Sequence, residues 1–207
     1  PLLLSSPLPP PPGTGKSVYV ASQLRRLSSG YDQDHLDTQP HLRERKMAYT
    51  TLVALSFSAQ TSANTTQDII DAKVSKVRKG LFGPSSGGRA MVSLERRHGF
   101  LFVDDLNMPS KEEYGAQPPL ELLRQGLVDG GWYDRSDSSF RTLTNVSLVA
   151  AMVPPGGGRN TITSRLTRHF EVIGVAPMDT PTMEKIFTTI LEWHLNGQGF
   201  NDMLVGA

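Results

Sequence analysis

Four unbroken apolar residues, Phe100-Leu101-Phe102-Val103, run directly into two carboxylates, Asp104-Asp105. An apolar run this short, bounded by polar residues, suits a strand buried on both faces, which is the environment of a central strand in a parallel sheet. Ligands of parallel α/β sheets sit at the carboxyl ends of the strands, so acids at that end are placed for chemistry. This segment restricts the fold class more than any other.

A second segment fits the first. Gly13-Thr14-Gly15-Lys16-Ser17 forms the second half of the phosphate-loop pattern G-x-x-x-x-G-K-[ST]. Glycines let backbone N–H groups turn inward around phosphate oxygens. The following helix presents its positive N-terminus to the same anion. Lys16 can reach β- and γ-phosphates, and the Ser17 hydroxyl can ligate Mg²⁺. The first half of the pattern departs: Pro10, Pro11 and Pro12 stand where glycine and N–H donors are expected. Proline has no N–H and a fixed φ, so it removes phosphate donors. Pro7 and Pro9 also interrupt the strand expected ahead of the loop.

The remaining pattern alternates strands and helices. Ser17–Leu27 reads as an amphipathic helix, with Val20, Leu24 and Leu27 at helical spacing. Residues 28–48 are polar and turn-rich and read as a loop. Thr51–Ser58 reads as a buried strand. Asn64 or Thr65 can cap a helix running to about Lys79, with Ile69, Ile70, Val74 and Val77 on one side. Gly80–Gly99 reads as a hairpin or long loop. Leu120–Leu127 reads as a helix broken by Gly130-Gly131, Val146–Met152 as a strand, Ser164–His169 as a basic helical turn and Phe170–Val175 as a strand. Thr182–Leu195 reads as a helix with Ile186, Ile190 and Leu191 facing inward. The alternation predicts an α/β parallel sheet flanked by helices.

Composition narrows function. The 207 residues carry 21 Lys+Arg against 20 Asp+Glu and no cysteine. That excludes a disulfide scaffold and Cys-ligated zinc or iron–sulfur sites. A net charge of +1 gives no electrostatic case for nucleic acid or an acidic membrane surface. No apolar run approaches the roughly 20 residues of a membrane span. Six of the 15 prolines fall in residues 1–12, which lack a basic region and a small-residue cleavage site, so no signal peptide is expected there. The chain does not begin with Met and reads as a piece of something longer. Gly83-Pro84-Ser85-Ser86-Gly87 fits the G-x-S-x-G elbow only formally, because the strand before it and the helix after it are lacking.

Phe102-Val103-Asp104-Asp105-Leu106-Asn107-Met108-Pro109 resembles the Walker B segment of axonemal dynein heavy chains, in the third AAA+ module of the motor ring. The resemblance extends over roughly residues 50–195. It takes in Ser56–Asn64, Gln67–Asp71, Arg78–Gly80, Tyr114–Pro119, Glu121–Gln125, Gly131–Asp134, Ala150–Met152, Pro154–Asn160 and Arg168–Phe170, in family order. It implies an AAA+ P-loop NTPase fold, with a large α/β subdomain over 13–178 and the start of a helical lid over 179–207; residues 1–12, Pro-rich and read as irregular, depart from the family's strand and loop.

The resemblance further implies ATP and Mg²⁺ as ligands. The nucleotide site would comprise Gly13, Thr14, Gly15, Lys16 and Ser17, with Ser17 and Asp104 on the Mg²⁺ side and Asp105 as the catalytic acid. Arg165, or alternatively Arg168, would act in trans on the preceding module's nucleotide. Many AAA+ ATPases carry Glu at the Asp105 position. Asp is one methylene shorter, so slow or absent hydrolysis with retained binding is expected, as at a regulatory site. Val153 stands where many AAA+ proteins carry the polar first sensor. The implied partners are neighbouring AAA+ modules of the same heavy chain, with dynein light and intermediate chains and microtubules through the longer protein. The implied setting is the cytoplasm and cytoskeleton of the ciliary or flagellar axoneme. A degenerate structural module without nucleotide, and a stand-alone non-motor AAA+ ATPase, are the alternative readings.

Overall fold

The computed structural model describes residues 1–5, 15–33, 48–84, 97–176 and 178–197. The chain divides into two units, Pro1–Val175 and Ala176–Ala207.

The first unit is built on a five-stranded sheet. Its strands are β1 (Leu2–Ser5), β2 (Ala48–Ser56), β5 (Arg97–Asp104), β8 (Val146–Ala151) and β9 (Glu171–Gly174). The spatial order is β2-β5-β8-β1-β9, and every pairing is parallel. The chain leaves β1 for the far edge at β2, then works back. Strand order therefore reverses beside β1, and this switch point is where open parallel sheets place ligands.

Helices cover both faces. Helix α1 (Lys16–Gln33) lays Val20 and Leu24 on one face, where they bury with Leu4, Phe102, Val149 and Ala151. On the other face, α2 (Ala63–Asp71), α3 (Pro118–Val128) and the single turn α4 (Ser164–Thr167) enclose a larger core. That core includes Leu3, Ile70, Leu101, Val103, Leu123, Trp132 and Leu166. Alternation along β5 is plain: Phe102 points to α1, while Leu101 and Val103 point to the opposite core.

A second sheet of four strands lies beyond α2. It comprises β3 (Val74–Arg78), β4 (Leu81–Pro84), β7 (Phe140–Leu143) and β6 (Gly131–Tyr133), in that order. β3 and β4 form an antiparallel hairpin, as do β6 and β7. The backbone of Gly131 lies so close to Arg141 that a Cβ there would run into the Arg141 carbonyl. Arg141 ties this sheet to α2 by pairing with Asp71 at 3.1 Å and with Asp134, and its guanidinium sits 5.0 Å over the Phe82 ring. The buried Trp132 donates its indole N–H to Asp71 at 3.1 Å.

Several expectations are corrected. Leu2–Ser5 is not irregular but an inner strand, because Leu2, Leu3 and Leu4 precede the first interrupting proline and fill the slot between β8 and β9. Residues 6–12 lie outside the described residues. Helix α1 runs through residues 28–33, which were read as loop; Ser28 Oγ donates to the Arg25 carbonyl at 2.8 Å and stays compatible with helix. The helix expected to reach Lys79 ends at Asp71, capped at its start by Ser62, whose side chain accepts from Thr65 N–H. Asp71 is held by Trp132 and Arg141, and the alternating Val74-Ser75-Lys76-Val77-Arg78 pairs with β4 instead. Of the hairpin or long loop expected over Gly80–Gly99, Leu81–Pro84 pairs with β3 across Lys79-Gly80, Arg97–Gly99 belongs to β5, and residues 85–96 lie outside the described residues.

The second unit holds one described helix, α5 (Thr180–Gly197). Ile186, Ile190 and Leu191, expected to face inward, are exposed by 40%, 55% and 58%. Among the described residues of this unit no second element covers the apolar stripe of this helix. No described helix is long and apolar enough to cross a membrane.

Candidate functional site

The site forms where the first turn of α1 meets the carboxyl end of β5. Gly15 adopts φ 73°, and its carbonyl accepts the Tyr19 N–H at 2.8 Å, so the helix starts from a left-handed residue. This conformation suits glycine, which has no Cβ to clash. It delivers Lys16, only 8% exposed, and a half-buried Ser17 at the helix N-terminus. Gly13 and Thr14 lie outside the described residues.

Asp104 is the last residue of β5. It stands two positions after Phe102 and so faces α1 and Lys16, by the same alternation that buries Phe102 against Val20 and Leu24. Its carbonyl accepts the Phe57 N–H at 3.0 Å, and its Oδ1 accepts the Asp105 N–H at 3.0 Å. Asp105 then takes φ 51°, a left-handed conformation that Asp tolerates better than most residues. The turn closes through Met108 N–H on the Asp105 carbonyl at 2.9 Å. Two successive carboxylates are thus offered on one side of the strand end.

Electrostatics ties these groups together. Burial pushes the Lys16 ammonium below its ordinary range, Asp104 and Asp105 push it back up, and Arg159 adds to the lowering. Arg159 was not assigned a role from sequence, although it lies within Pro154–Asn160. Its Nη2 stands 3.9 Å from Asp105 Oδ1. The signal that could have revealed it is the glycine run before it. Gly156, Gly157 and Gly158 have φ 134°, 58° and 84°, and Gly156 and Arg159 exchange backbone hydrogen bonds at 3.1 Å in both directions. Three successive positive φ values require glycine, and the resulting reversal returns Arg159 to the strand ends.

Asn107 fixes this loop from below. It is fully buried, donates from Nδ2 to the Val153 carbonyl at 2.7 Å, and accepts the Asn160 N–H on its own carbonyl at 3.0 Å. Asn160 in turn donates to the Pro109 carbonyl at 2.9 Å. Val153 therefore serves this region through its backbone.

Arg165 and Arg168 are exposed and are not among the charges acting on Lys16; Arg168 Nε donates to His169 at 3.2 Å. A cleft of about 410 Å³ at the second sheet, lined by Gln67, Asp68, Asp71, Asp134, Arg135, Ser136 and Arg141, is a separate feature. Its acids are matched by Arg135 and Arg141. Among the described residues no group of His, Asp and Glu is spaced to hold a metal by itself.

The family described as the P-loop containing dynein motor region matches residues 35–178. Mouse dynein axonemal heavy chain 3 is 44% identical over 195 residues, covering 94% of this chain and 4% of that protein. Human dynein axonemal heavy chain 1 is 46% identical over 188 residues, covering 90% of this chain and 4% of that protein. Mouse dynein axonemal heavy chain 12 is 42% identical over 191 residues, covering 92% and 5%. This chain thus spans about a twentieth of the length of these relatives. The parallel sheet flanked by helices is the fold of a P-loop domain, and the chain belongs to the P-loop dynein motor region family of dynein heavy chains.

Proposed function

We propose that this chain is most of one nucleotide-binding AAA+ module, the third of the motor ring, in an axonemal dynein heavy chain, and that its site regulates rather than drives the motor. The observation that carries the reading is that Lys16, at the start of α1, lies within the electrostatic reach of Asp104 and Asp105 at the carboxyl end of β5. The donor set fits ATP-Mg²⁺. A buried ammonium suits phosphate oxygens, and a hydroxyl with a neighbouring carboxylate suits a small divalent cation that keeps several of its waters. Lys16 would hold the β- and γ-phosphates. Ser17 and Asp104 would hold Mg²⁺, which supplies neutralisation of charge on the transferred phosphoryl group. Gly13, Thr14 and Gly15 would contribute the loop.

Asp105 would orient water. Its side chain is one methylene shorter than the Glu common in AAA+ ATPases, which supports slow turnover with retained binding. Arg165, or Arg168 beside it, would reach the preceding module's nucleotide; the exposure of both is compatible with service outside the chain's own site. Neighbouring modules, light and intermediate chains and microtubules would be engaged through the longer protein, and an axonemal location is what the relatives' names suggest.

Fluorescent-ATP titration of the chain, with and without Mg²⁺ and alongside Lys16→Ala, tests this reading. Mg²⁺-dependent binding lost in Lys16→Ala is expected. Binding that ignores Lys16, or no binding, would favour a structural module that keeps ring geometry without nucleotide. Pro10, Pro11 and Pro12 in place of phosphate-donating N–H groups are the observation favouring that second reading. For hydrolysis, turnover that drops on Asp105→Asn but barely rises on Asp105→Glu would count against a regulatory site.

A further inference from the structure

We propose that Arg159 recognises the terminal phosphate of a bound nucleoside triphosphate from within its own module, in the role that Val153 cannot fill. The inference rests on the nucleotide-site reading above and concerns a residue that reading does not use.

Three observations carry it. First, Arg159 is aimed by backbone. The Gly156–Arg159 reversal fixes it on one side, and the bond from Asn160 N–H to the Asn107 carbonyl fixes the next residue to the β5 end. A guanidinium so anchored loses less freedom on binding an anion than one on a free loop. Second, it points at the site. Its Nη2 is 3.9 Å from Asp105 Oδ1, and its charge is felt at Lys16. Third, its donors are not used up. A separation of 3.9 Å is an ion pair but too long for a hydrogen bond, and Arg159 Nε is buried with no partner among the described residues. A buried guanidinium N–H without an acceptor is costly, and a phosphate oxygen is the acceptor that a planar fork of N–H groups suits.

The chemistry gives direction. Asp105 holds Arg159 when no phosphate is near. The third phosphate adds charge beside Asp105, and a dianionic oxygen cluster competes for the guanidinium better than one carboxylate. A diphosphate lacks that third charge and would leave Arg159 on Asp105. Arg159 would thereby make the sensor loop, and through Asn160 and Asn107 the β5 end, respond to the presence of the third phosphate.

The test titrates fluorescent ATP and fluorescent ADP, both with Mg²⁺, against the full chain and against Arg159→Ala, Arg159→Lys and Lys16→Ala. Arg159→Ala should weaken ATP binding at least tenfold and ADP binding less than twofold. Arg159→Lys, which keeps charge but not the fork, should fall between and guards against misfolding of the alanine variant, as does a thermal melt of each. Equal weakening for both nucleotides, or none for either, overturns the role of Arg159 while leaving the site intact. If the unaltered chain binds neither nucleotide, the underlying site fails, and this role with it. Loss in Lys16→Ala for both nucleotides, beside loss for ATP alone in Arg159→Ala, is the pattern that supports it.

Discussion

Asn107 and Val153 are joined across the end of the sheet: the buried amide Nδ2 donates to the Val153 carbonyl at 2.7 Å. This bond connects the turn after β5 to the loop after β8. Asn107→Ala should lower stability by about 1–3 kcal/mol, because it leaves a buried carbonyl unsatisfied. Asn107→Asp should cost more than Asn107→Ala, since a carboxylate cannot donate to that carbonyl and would bury a charge. Urea unfolding of the three proteins checks the order. A neutral Asn107→Asp would refute the assignment.

Lys16 is held in a buried position beside Asp104 and Asp105. Lys16→Met relieves the burial of an ammonium but leaves Asp104 and Asp105 without it, so the two effects oppose each other and the melting temperature of the ligand-free protein should change little. ATP-Mg²⁺ at 100 times its Kd would stabilise the unaltered protein by about 2.7 kcal/mol. Lys16→Met should remove that ligand-dependent gain entirely. Differential scanning fluorimetry with and without ATP-Mg²⁺ reads both effects.

Trp132 is 2% exposed and anchors the second sheet to α2 through Asp71, whereas Trp193 is 77% exposed. Trp132→Ala should cost about 3–5 kcal/mol through the cavity it leaves. Trp132→Phe keeps most of the packing and loses one hydrogen bond, so about 1 kcal/mol is expected beyond the volume change. Fluorescence separates the two indoles. Collisional quenching by iodide in the folded protein should act on Trp193 and spare Trp132.

His98 packs 5.4 Å from the Phe100 ring and hydrogen-bonds Ser147 at 2.8 Å, and burial lowers its pKa below the ordinary value. The folded state therefore resists protonating it. As pH falls below about 6.5 the unfolded chain takes up the proton first, so stability declines until the lower folded pKa is passed. Chemical denaturation at pH 7.5 and 5.5 should show this loss. In His98→Gln the part due to this residue should vanish.

Much of this could be read from residue order. The Phe100–Val103 run stopping at acid was enough to identify the inner part of β5, because a short apolar run bounded by polar residues suits a strand covered on both faces. Lys16 and Ser17 were singled out by the Gly13–Ser17 half of the phosphate-loop pattern, and both stand in the first turn of α1. Local rules failed where tertiary partners decided. Val74 and Val77 fit either a helix face or an alternating strand, and only the hairpin with Leu81–Pro84 selects the strand. Leu2–Ser5 was set aside as a strand because Pro7 and Pro9 follow it, and the partners that hold it lie far along the chain. Arg159 was hidden for a different reason. Its role depends on a glycine reversal whose direction is not written in residue type.

The position of β1 carries a consequence for synthesis. Leu3 sits opposite Ala150 on one side and Val172 on the other, so its slot does not exist until β9 has been made. At roughly 5–20 residues per second, the ribosome needs on the order of 10–30 s to add that much chain. Through that interval three consecutive leucines must wait without their sheet. A chaperone engaged with the nascent segment would shield Leu2–Leu4, and its release would be timed to the appearance of Ile173.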